Sequence, residues 1–129
     1  MPKVILVVDD SPSARLIVSE TLHNAGYDVI EAAGGEEALA YASDHSVDLV
    51  LADLHMPRMD GITLITELRA LPSYRLTPML MLTTESSPLH KLQAKQAGAT
   101  GWMVKPFKPA QLLSTLSRMF DLPPTPSAS

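Results

Sequence analysis

Two hydrophobic patterns alternate along this chain: continuous apolar runs, and apolar stripes at helical spacing. Continuous runs of about four to eight residues are typical of strands buried on both faces, and stripes with a period of about 3.6 residues are typical of amphipathic helices. The runs predict strands at 3–8, 28–33, 48–53, 78–83 and 101–105. The stripes predict helices at 12–25, 36–45, 61–71, 88–97 and 109–120.

Capping residues and breakers mark the ends of several predicted helices. Ser11-Pro12 and Ser87-Pro88 each place a capping hydroxyl before a proline, and proline is favoured at the first helical position. Asp60 is expected to cap the third helix. Gly26 ends the first helix, and Pro72 ends the third.

The apolar stripes also predict which side of each helix faces the core. The expected inward residues of the first helix are Ala14, Ile17, Val18, Thr21, Leu22 and Ala25. The fourth helix has the thinnest stripe, formed by little more than Leu89 and Leu92. We therefore expect the fourth helix to be the one with the least packing energy.

Strands that alternate with helices predict an α/β fold, a doubly wound parallel sheet with right-handed crossovers and helices on both faces. The expected arrangement is a flavodoxin-like (βα)5 sheet of five strands in the order 2-1-3-4-5. In that order the second strand lies at an edge, and the other four strands are neighbours. Ligands of such sheets bind at the carboxyl ends of the strands.

Polar residues useful in phosphate chemistry end four of the five predicted strands. They are Asp9 with Asp10 on the first strand, Asp53 on the third, Thr83 on the fourth and Lys105 on the fifth. Only the second strand, the predicted edge strand, ends without such a group. The sequence therefore predicts one cleft in which these side chains converge.

The types of these residues indicate what the cleft binds. Three neighbouring carboxylates resist ionising together unless a cation compensates them, and carboxylate oxygens suit Mg²⁺. Lys105 supplies positive charge, and Thr83 supplies a hydroxyl donor, so both fit a phosphoryl group. Asp53 is the central carboxylate and is predicted to attack phosphorus and form an aspartyl phosphate.

The motifs that carry these residues resemble those of the receiver domains of two-component response regulators. The matching motifs are Val8-Asp9-Asp10-Ser11-Pro12, the segment Asp53 to Gly61, Leu82-Thr83-Thr84 and Lys105-Pro106-Phe107. The resemblance extends over residues 3–120 and is greatest to single-domain CheY-like members. In this order and spacing the motifs are highly specific.

The resemblance implies a role for each site residue. Asp53 is the implied phosphoacceptor, Asp10 and Asp53 the direct Mg²⁺ ligands, Asp9 a ligand through water, and the backbone carbonyl of His55 a further ligand. Thr83 and Lys105 would bind phosphoryl oxygens. The Lys105–Pro106 peptide bond is expected to be cis. Mn²⁺ is expected to substitute for Mg²⁺.

The resemblance also implies a signalling function in a chemotaxis-like phosphorelay. A sensor histidine kinase or a phosphotransfer protein would donate the phosphoryl group, and the surface of the fourth helix, fifth strand and fifth helix would control a protein partner. Catalysis would be limited to self-phosphorylation and autodephosphorylation, so the chain is not expected to be an enzyme. Thr83 and Trp102, which stands where the family usually has Tyr or Phe, would form the switch. From their positions, two residues after Asp53 and two after Thr83, His55 and Glu85 are expected to contact each other, to restrict the water that reaches the acyl phosphate and so to tune its lifetime.

Two other functions fit an α/β fold. A Mg²⁺-dependent phosphohydrolase would also use an aspartyl phosphate, but its general acid is normally an Asp two residues after the nucleophile, where this chain has His55. A flavin-binding flavodoxin-like protein would need a phosphate cradle after the first strand. Residues 9–13 are instead acidic and lack Gly.

Composition adds limits to these predictions. The chain has 129 residues, a formal net charge of −4 and no Cys, which fits one domain at 1–121 and a disordered Pro- and Ser-rich tail at 122–129. We expect no nucleic-acid partner because there is no basic cluster. The sequence also predicts no membrane span, a cytoplasmic location, and a monomer or weak dimer whose output is by protein contact.

Overall fold

A computed structural model describes residues 2–84 and 87–121. The strands are β1 (Val4–Val8), β2 (Asp28–Ala32), β3 (Leu49–Ala52), β4 (Met79–Thr83) and β5 (Gly101–Val104). The helices are α1 (Pro12–Asn24), α2 (Gly35–Asp44), α3 (Gly61–Arg69), α4 (Pro88–Ala97) and α5 (Pro109–Asp121), with a short 3₁₀ turn at Pro72–Tyr74.

The five strands form one parallel sheet in the order β2-β1-β3-β4-β5. The predicted flavodoxin-like fold is confirmed. The first and last residues of the strands and helices differ from the predicted ones by no more than two positions. β1 and β3 therefore lie in the middle of the sheet, with β4 and β5 on one side and the edge strand β2 on the other.

Side chains of each strand divide between two cores, one on each face of the sheet. Leu6 and Val8 pack on the face covered by α2, α3 and α4, whereas Ile5 and Val7 pack on the face covered by α1 and α5. This division follows from the alternation of side chains along a strand. Both faces are covered, which explains why the strands read as continuous apolar runs.

The helix starts agree with the predicted capping signals in two cases. The Ser11 hydroxyl accepts a hydrogen bond from the Ala14 amide, and the Asp60 carboxylate accepts one from the Thr63 amide at 2.8 Å. Ser87 precedes α4 but makes no side-chain capping bond to the described residues.

Four residues that were expected to face inwards are exposed, so these predictions were wrong. One is Ala25, which lies just after the end of α1. Ile17 is 60% exposed, Leu89 61% and Leu92 52%. In α1 the stripe was wider than the helix's contact with the sheet, which Val18 and Leu22 make. In α4 the buried residue is Ala94, with Ala97 packed beside it, because small side chains let the helix lie close to its neighbours.

Arg69, which the hydrophobic pattern did not identify, ties three segments together. Its guanidinium donates to the carbonyl of Gly98 at 2.7 and 3.0 Å, to that of Tyr74 at 2.7 Å and to that of Thr77 at 2.7 Å. Burial lowers the pKa of Arg69, which nevertheless stays charged at neutral pH. Arg69 therefore links the end of α3 with the segment before β4 and the end of α4.

Candidate functional site

The predicted convergence of strand ends is present at one edge of the sheet. Asp9 follows β1, Asp53 follows β3, Thr83 ends β4 and Lys105 follows β5. One carboxylate oxygen from each of Asp9, Asp10 and Asp53 lies within 4.8 Å of the others. Because β1, β3, β4 and β5 are consecutive in the sheet, residues nearly a hundred positions apart in sequence meet at this cleft.

Asp9 is the most enclosed of the three acids, at 4% exposure. Its carboxylate accepts a hydrogen bond from the Ser11 amide at 2.9 Å and another from the Lys105 ammonium at 3.0 Å. Its backbone amide donates to the Ala32 carbonyl at 3.2 Å. Asp9 is therefore fixed by both its main chain and its side chain, whereas Asp10 is exposed.

Lys105 connects Asp9 with Asp53. Its ammonium lies 3.0 Å from the Asp9 carboxylate and 3.7 Å from that of Asp53, and 17% of its side chain is exposed. The Lys105 amide donates to the Thr83 carbonyl at 2.8 Å, which extends the pairing of β5 with β4 by one residue. The Lys105–Pro106 peptide bond is cis, as the resemblance implied.

The environment of Asp53 disfavours its ionised form. Partial burial raises the pKa of the Asp53 carboxyl, and the negative charges of Asp9 and Asp10 raise it further, whereas Lys105 and the Leu54 amide act in the opposite direction. Since burial is the largest of these effects, the pKa lies above its usual value of 3.8.

This donor set fits a divalent cation. Three carboxylates meet with one ammonium among them, so negative charge is in excess. Carboxylate oxygens are the protein ligands that Mg²⁺ prefers, and Mg²⁺ is usually bound by one or two of them with several waters retained. A bound cation would also offset the repulsion that raises the pKa of Asp53.

The loop after β3 holds Asp53 in place through close backbone contacts. The Gly61 amide donates to the Leu54 carbonyl at 2.8 Å. A Cβ atom at position 61 would collide with the Asp53 carbonyl oxygen and lie 2.9 Å from the Met81 sulfur. Glycine is therefore required at position 61, where α3 begins directly beside the end of β3.

Thr83 and Trp102 lie on the same face of the sheet. Thr83 is fully buried, and Trp102 is paired in register with Met81, two residues before Thr83 on β4. The indole packs against the core on the α2, α3 and α4 face. Its Nε1 is buried without a hydrogen-bond partner among the described residues. The structure thus places Trp102 on the α4 side of the sheet and near Thr83.

His55 lies on the rim beside α4. Its exposed ring meets the ring of His90 edge to face, with centroids 6.1 Å apart. The two rings border an open cleft of about 500 Å³ between α3 and α4. Glu85, the expected partner of His55, lies outside the described residues, so their joint effect on phosphoryl lifetime stays a prediction.

Arg15 is a site neighbour that sequence reasoning missed. It donates to the backbone carbonyl of Asp9 at 2.6 Å and forms an ion pair with Glu31 on β2 at 3.1 Å. The one available signal was an arginine in the first turn of a helix that starts beside two aspartates. From the sequence alone, such an arginine could not be distinguished from one on the solvent-exposed face of a helix.

Comparisons with known proteins agree with this geometry. The response regulator receiver domain family matches residues 5–117. The chemotaxis protein CheY4 of Vibrio cholerae has 49% sequence identity and a TM-score of 0.89, over 92% of this chain and 99% of that one. The receiver domain of the sensor histidine kinase PA1611 of Pseudomonas aeruginosa, solved with a magnesium ion in its active-site cleft, has 30% identity and a TM-score of 0.88 over 95% and 100%.

A curated relative is longer than this chain. The alkaline phosphatase synthesis transcriptional regulatory protein PhoP of Bacillus subtilis is 39% identical over 112 residues, which are 87% of this chain but 46% of PhoP. Because PhoP is named as a transcriptional regulator, the expectation that this chain has no nucleic-acid partner stays a prediction.

Within residues 2–84 and 87–121, no helix has the length and apolar character needed to span a membrane.

Receiver domains are signalling domains rather than classical enzymes. The family match over most of the chain, the shared fold and the acidic cluster all agree. This chain belongs to the response regulator receiver domain family of two-component systems and is CheY-like.

Proposed function

We propose that this protein is a phosphorylation-dependent switch in which Asp53 accepts a phosphoryl group in the presence of Mg²⁺. One observation carries the proposal. The Asp53 carboxylate lies 3.7 Å from the Lys105 ammonium and shares its cleft with Asp9 and Asp10, so a nucleophile, a phosphoryl-binding cation and a candidate metal site are adjacent.

Each residue has a role that follows from its chemistry. A carboxylate oxygen of Asp53 forms a bond to phosphorus while the bond from phosphorus to the donor breaks, and the donor group leaves with the electron pair. Lys105 neutralises negative charge on the transferred group, and the Thr83 hydroxyl donates a hydrogen bond to it.

Asp10, Asp53 and the His55 carbonyl would hold the cation directly, and Asp9 through water. When bound, Mg²⁺ neutralises charge on the phosphoryl oxygens, and Mn²⁺ is expected to serve as well. The magnesium ion in the PA1611 receiver domain supports this assignment for a related chain. The resemblance to receiver domains further supports a histidine kinase or a phosphotransfer protein as donor.

The proposed output surface consists of α4, β5 and α5. Three exposed apolar residues on it, Leu89, Leu92 and Val104, would be expected to bind an apolar patch on a protein partner. Ala94 is the one buried residue of α4, so little packing energy opposes a shift of this helix when the site is phosphorylated.

Labelling with acetyl phosphate tests this function. The wild-type protein should gain one phosphoryl group with Mg²⁺ and none after chelation, and Asp53→Asn should gain none. Asp60→Asn is the matched control, because Asp60 is a carboxylate on the same loop and Asn also caps helices well. Labelling of Asp53→Asn equal to that of wild type would refute the assignment.

A further inference from the structure

Arg15 lies in the first turn of α1, directly behind the Asp9-Asp10 pair. Its guanidinium donates to the backbone carbonyl of Asp9 at 2.6 Å, and its Nε donates to the Glu31 carboxylate at 3.1 Å. Only 18% of its side chain is exposed, compared with 82% for Arg58, which forms an ion pair with Glu36 elsewhere on the rim. Arg15 is therefore held between β2 and the turn after β1.

The carbonyl that Arg15 binds belongs to the peptide bond between Asp9 and Asp10. A peptide unit is planar, so a hydrogen bond that holds its oxygen also holds the plane that contains the nitrogen and Cα atoms of Asp10. The other side of Asp9 is fixed by its amide bond to Ala32 and by its carboxylate bonds to the Ser11 amide and the Lys105 ammonium. The Arg15 contact completes this frame on the side nearest Asp10.

We propose that Arg15 is a positioning residue for the cation site, which aligns the Asp9-Asp10 peptide so that both carboxylates face the cation, and that Glu31 keeps Arg15 in this position. The inference rests on the proposed function only in taking the acidic cluster as the Mg²⁺ site. Arg15 acts through the backbone and touches neither the cation nor the phosphoryl group.

The sign of one measurement separates this role from a purely electrostatic one. Removing a positive charge from the neighbourhood of a cation site should strengthen cation binding if charge alone matters. Removing a residue that aligns the ligands should weaken cation binding. Loss of contacts that hold metal ligands in place typically lowers metal affinity about 10- to 100-fold.

The experiment is calorimetric titration of the full chain with Mg²⁺, for wild type, Arg15→Met, Arg15→Lys and the control Arg58→Met. We expect about tenfold weaker binding for Arg15→Met. Arg15→Lys keeps the charge but replaces the two donor nitrogens that Arg15 uses with a single ammonium, so its affinity should fall between those of Arg15→Met and wild type. Arg58→Met removes the same charge from an exposed ion pair and should stay within about twofold of wild type.

A second readout separates positioning from general loss of structure. Arg15→Met should need a higher Mg²⁺ concentration than wild type to reach half of its maximal rate of labelling by acetyl phosphate. At saturating Mg²⁺ the two rates should be equal. Equal or tighter Mg²⁺ binding by Arg15→Met, or a loss shared equally by Arg58→Met, would overturn the proposal. If wild type binds Mg²⁺ but is never labelled, the proposed function fails while the role of Arg15 is still tested.

Discussion

In the proposed function Asp53 would react as an anion, although it is partly buried beside two other acids. Its pKa is raised, first by burial and then by Asp9 and Asp10. A raised pKa of an acid in the folded state means that its ionisation opposes folding. The fold without metal should therefore be less stable at neutral pH than it would be with a neutral group at this position.

The corresponding prediction concerns Asp53→Asn in metal-free buffer. The amide carries no charge, so the variant should have a larger free energy of unfolding than wild type at pH 7. The advantage should shrink as the pH falls through the raised folded-state pKa and should vanish below 3.8, the ordinary pKa of the group, because Asp53 is then protonated in both the folded and the unfolded state.

Urea unfolding across this pH range measures the difference, and Asp60→Asn serves as the control. Mg²⁺ at about 100 times its dissociation constant should raise the free energy of unfolding of wild type by about 2.7 kcal/mol. It should raise that of Asp53→Asn by less, because this variant has lost a proposed ligand. A variant that is less stable than wild type at pH 7 without metal would contradict this account of Asp53.

Sequence alone predicted the acids, Thr83 and Lys105 because each stands where a strand of clear apolar character stops. Strand ends are readable, and the parallel fold brings them together. Arg15 and Arg69 were not predicted because both bind backbone carbonyls. Every residue has a backbone carbonyl, so the sequence does not show which one an arginine will bind. Arg69 reaches Gly98, a residue 29 positions away, through such a bond.

Among the elements, α4 differs most from its predicted packing. Leu89 and Leu92 face outwards, and the helix packs through Ala94 and Ala97. The i, i+3 spacing of the two leucines correctly indicates a helix but does not determine which face is buried. Close approach to α3 favours small residues, and this preference is tertiary information that periodicity does not contain.

Arg69 is expected to be the strongest single link between α3 and the end of α4. Arg69→Met would leave the carbonyls of Gly98, Tyr74 and Thr77 without their donor. The expected loss is about 2–4 kcal/mol of unfolding free energy, since each buried unsatisfied group costs roughly 1–3 kcal/mol.

Urea unfolding of Arg69→Met should be compared with that of Arg75→Met, an exposed arginine nearby that should change stability by less than about 0.5 kcal/mol. Equal effects of the two substitutions would show that the contacts of Arg69 add nothing beyond an ordinary surface charge.

The proposed switch couples β4 to β5. A phosphoryl group on Asp53 would attract the Thr83 hydroxyl, and the resulting shift would change the space beside Met81, where Trp102 packs. The buried Nε1 of Trp102 has no partner among the described residues, which favours any movement that gives it one.

Because Trp102 is the single tryptophan of the chain, its fluorescence reports this step. Beryllofluoride with Mg²⁺ should change the emission beyond the effect of Mg²⁺ alone. Thr83→Ala should remove the additional change while the mimic still binds. Identical emission with and without the mimic would show that Trp102 is static and that the output takes another route.

At the scale of the whole molecule, strand order brings the residues of the candidate site together. The order β2-β1-β3-β4-β5 places the strand that lacks a polar end at the edge and makes the other four neighbours. The three carboxylates and the Lys105 ammonium consequently share one cleft, although they come from separate segments of the chain. The alternation of strands and helices predicted a parallel sheet with right-handed crossovers, and the flavodoxin-like order was the known arrangement in which the four polar strand ends are neighbours.

The central claim is that the phosphoryl group is carried by Asp53 and that its transfer requires a divalent cation. Borohydride reduces an aspartyl phosphate, so treatment after incubation with acetyl phosphate marks the modified residue for peptide mass spectrometry. The account predicts modification at Asp53 when acetyl phosphate and Mg²⁺ are both present, and none when either is omitted. Modification at another residue, or at Asp53 to the same extent after chelation, would contradict it.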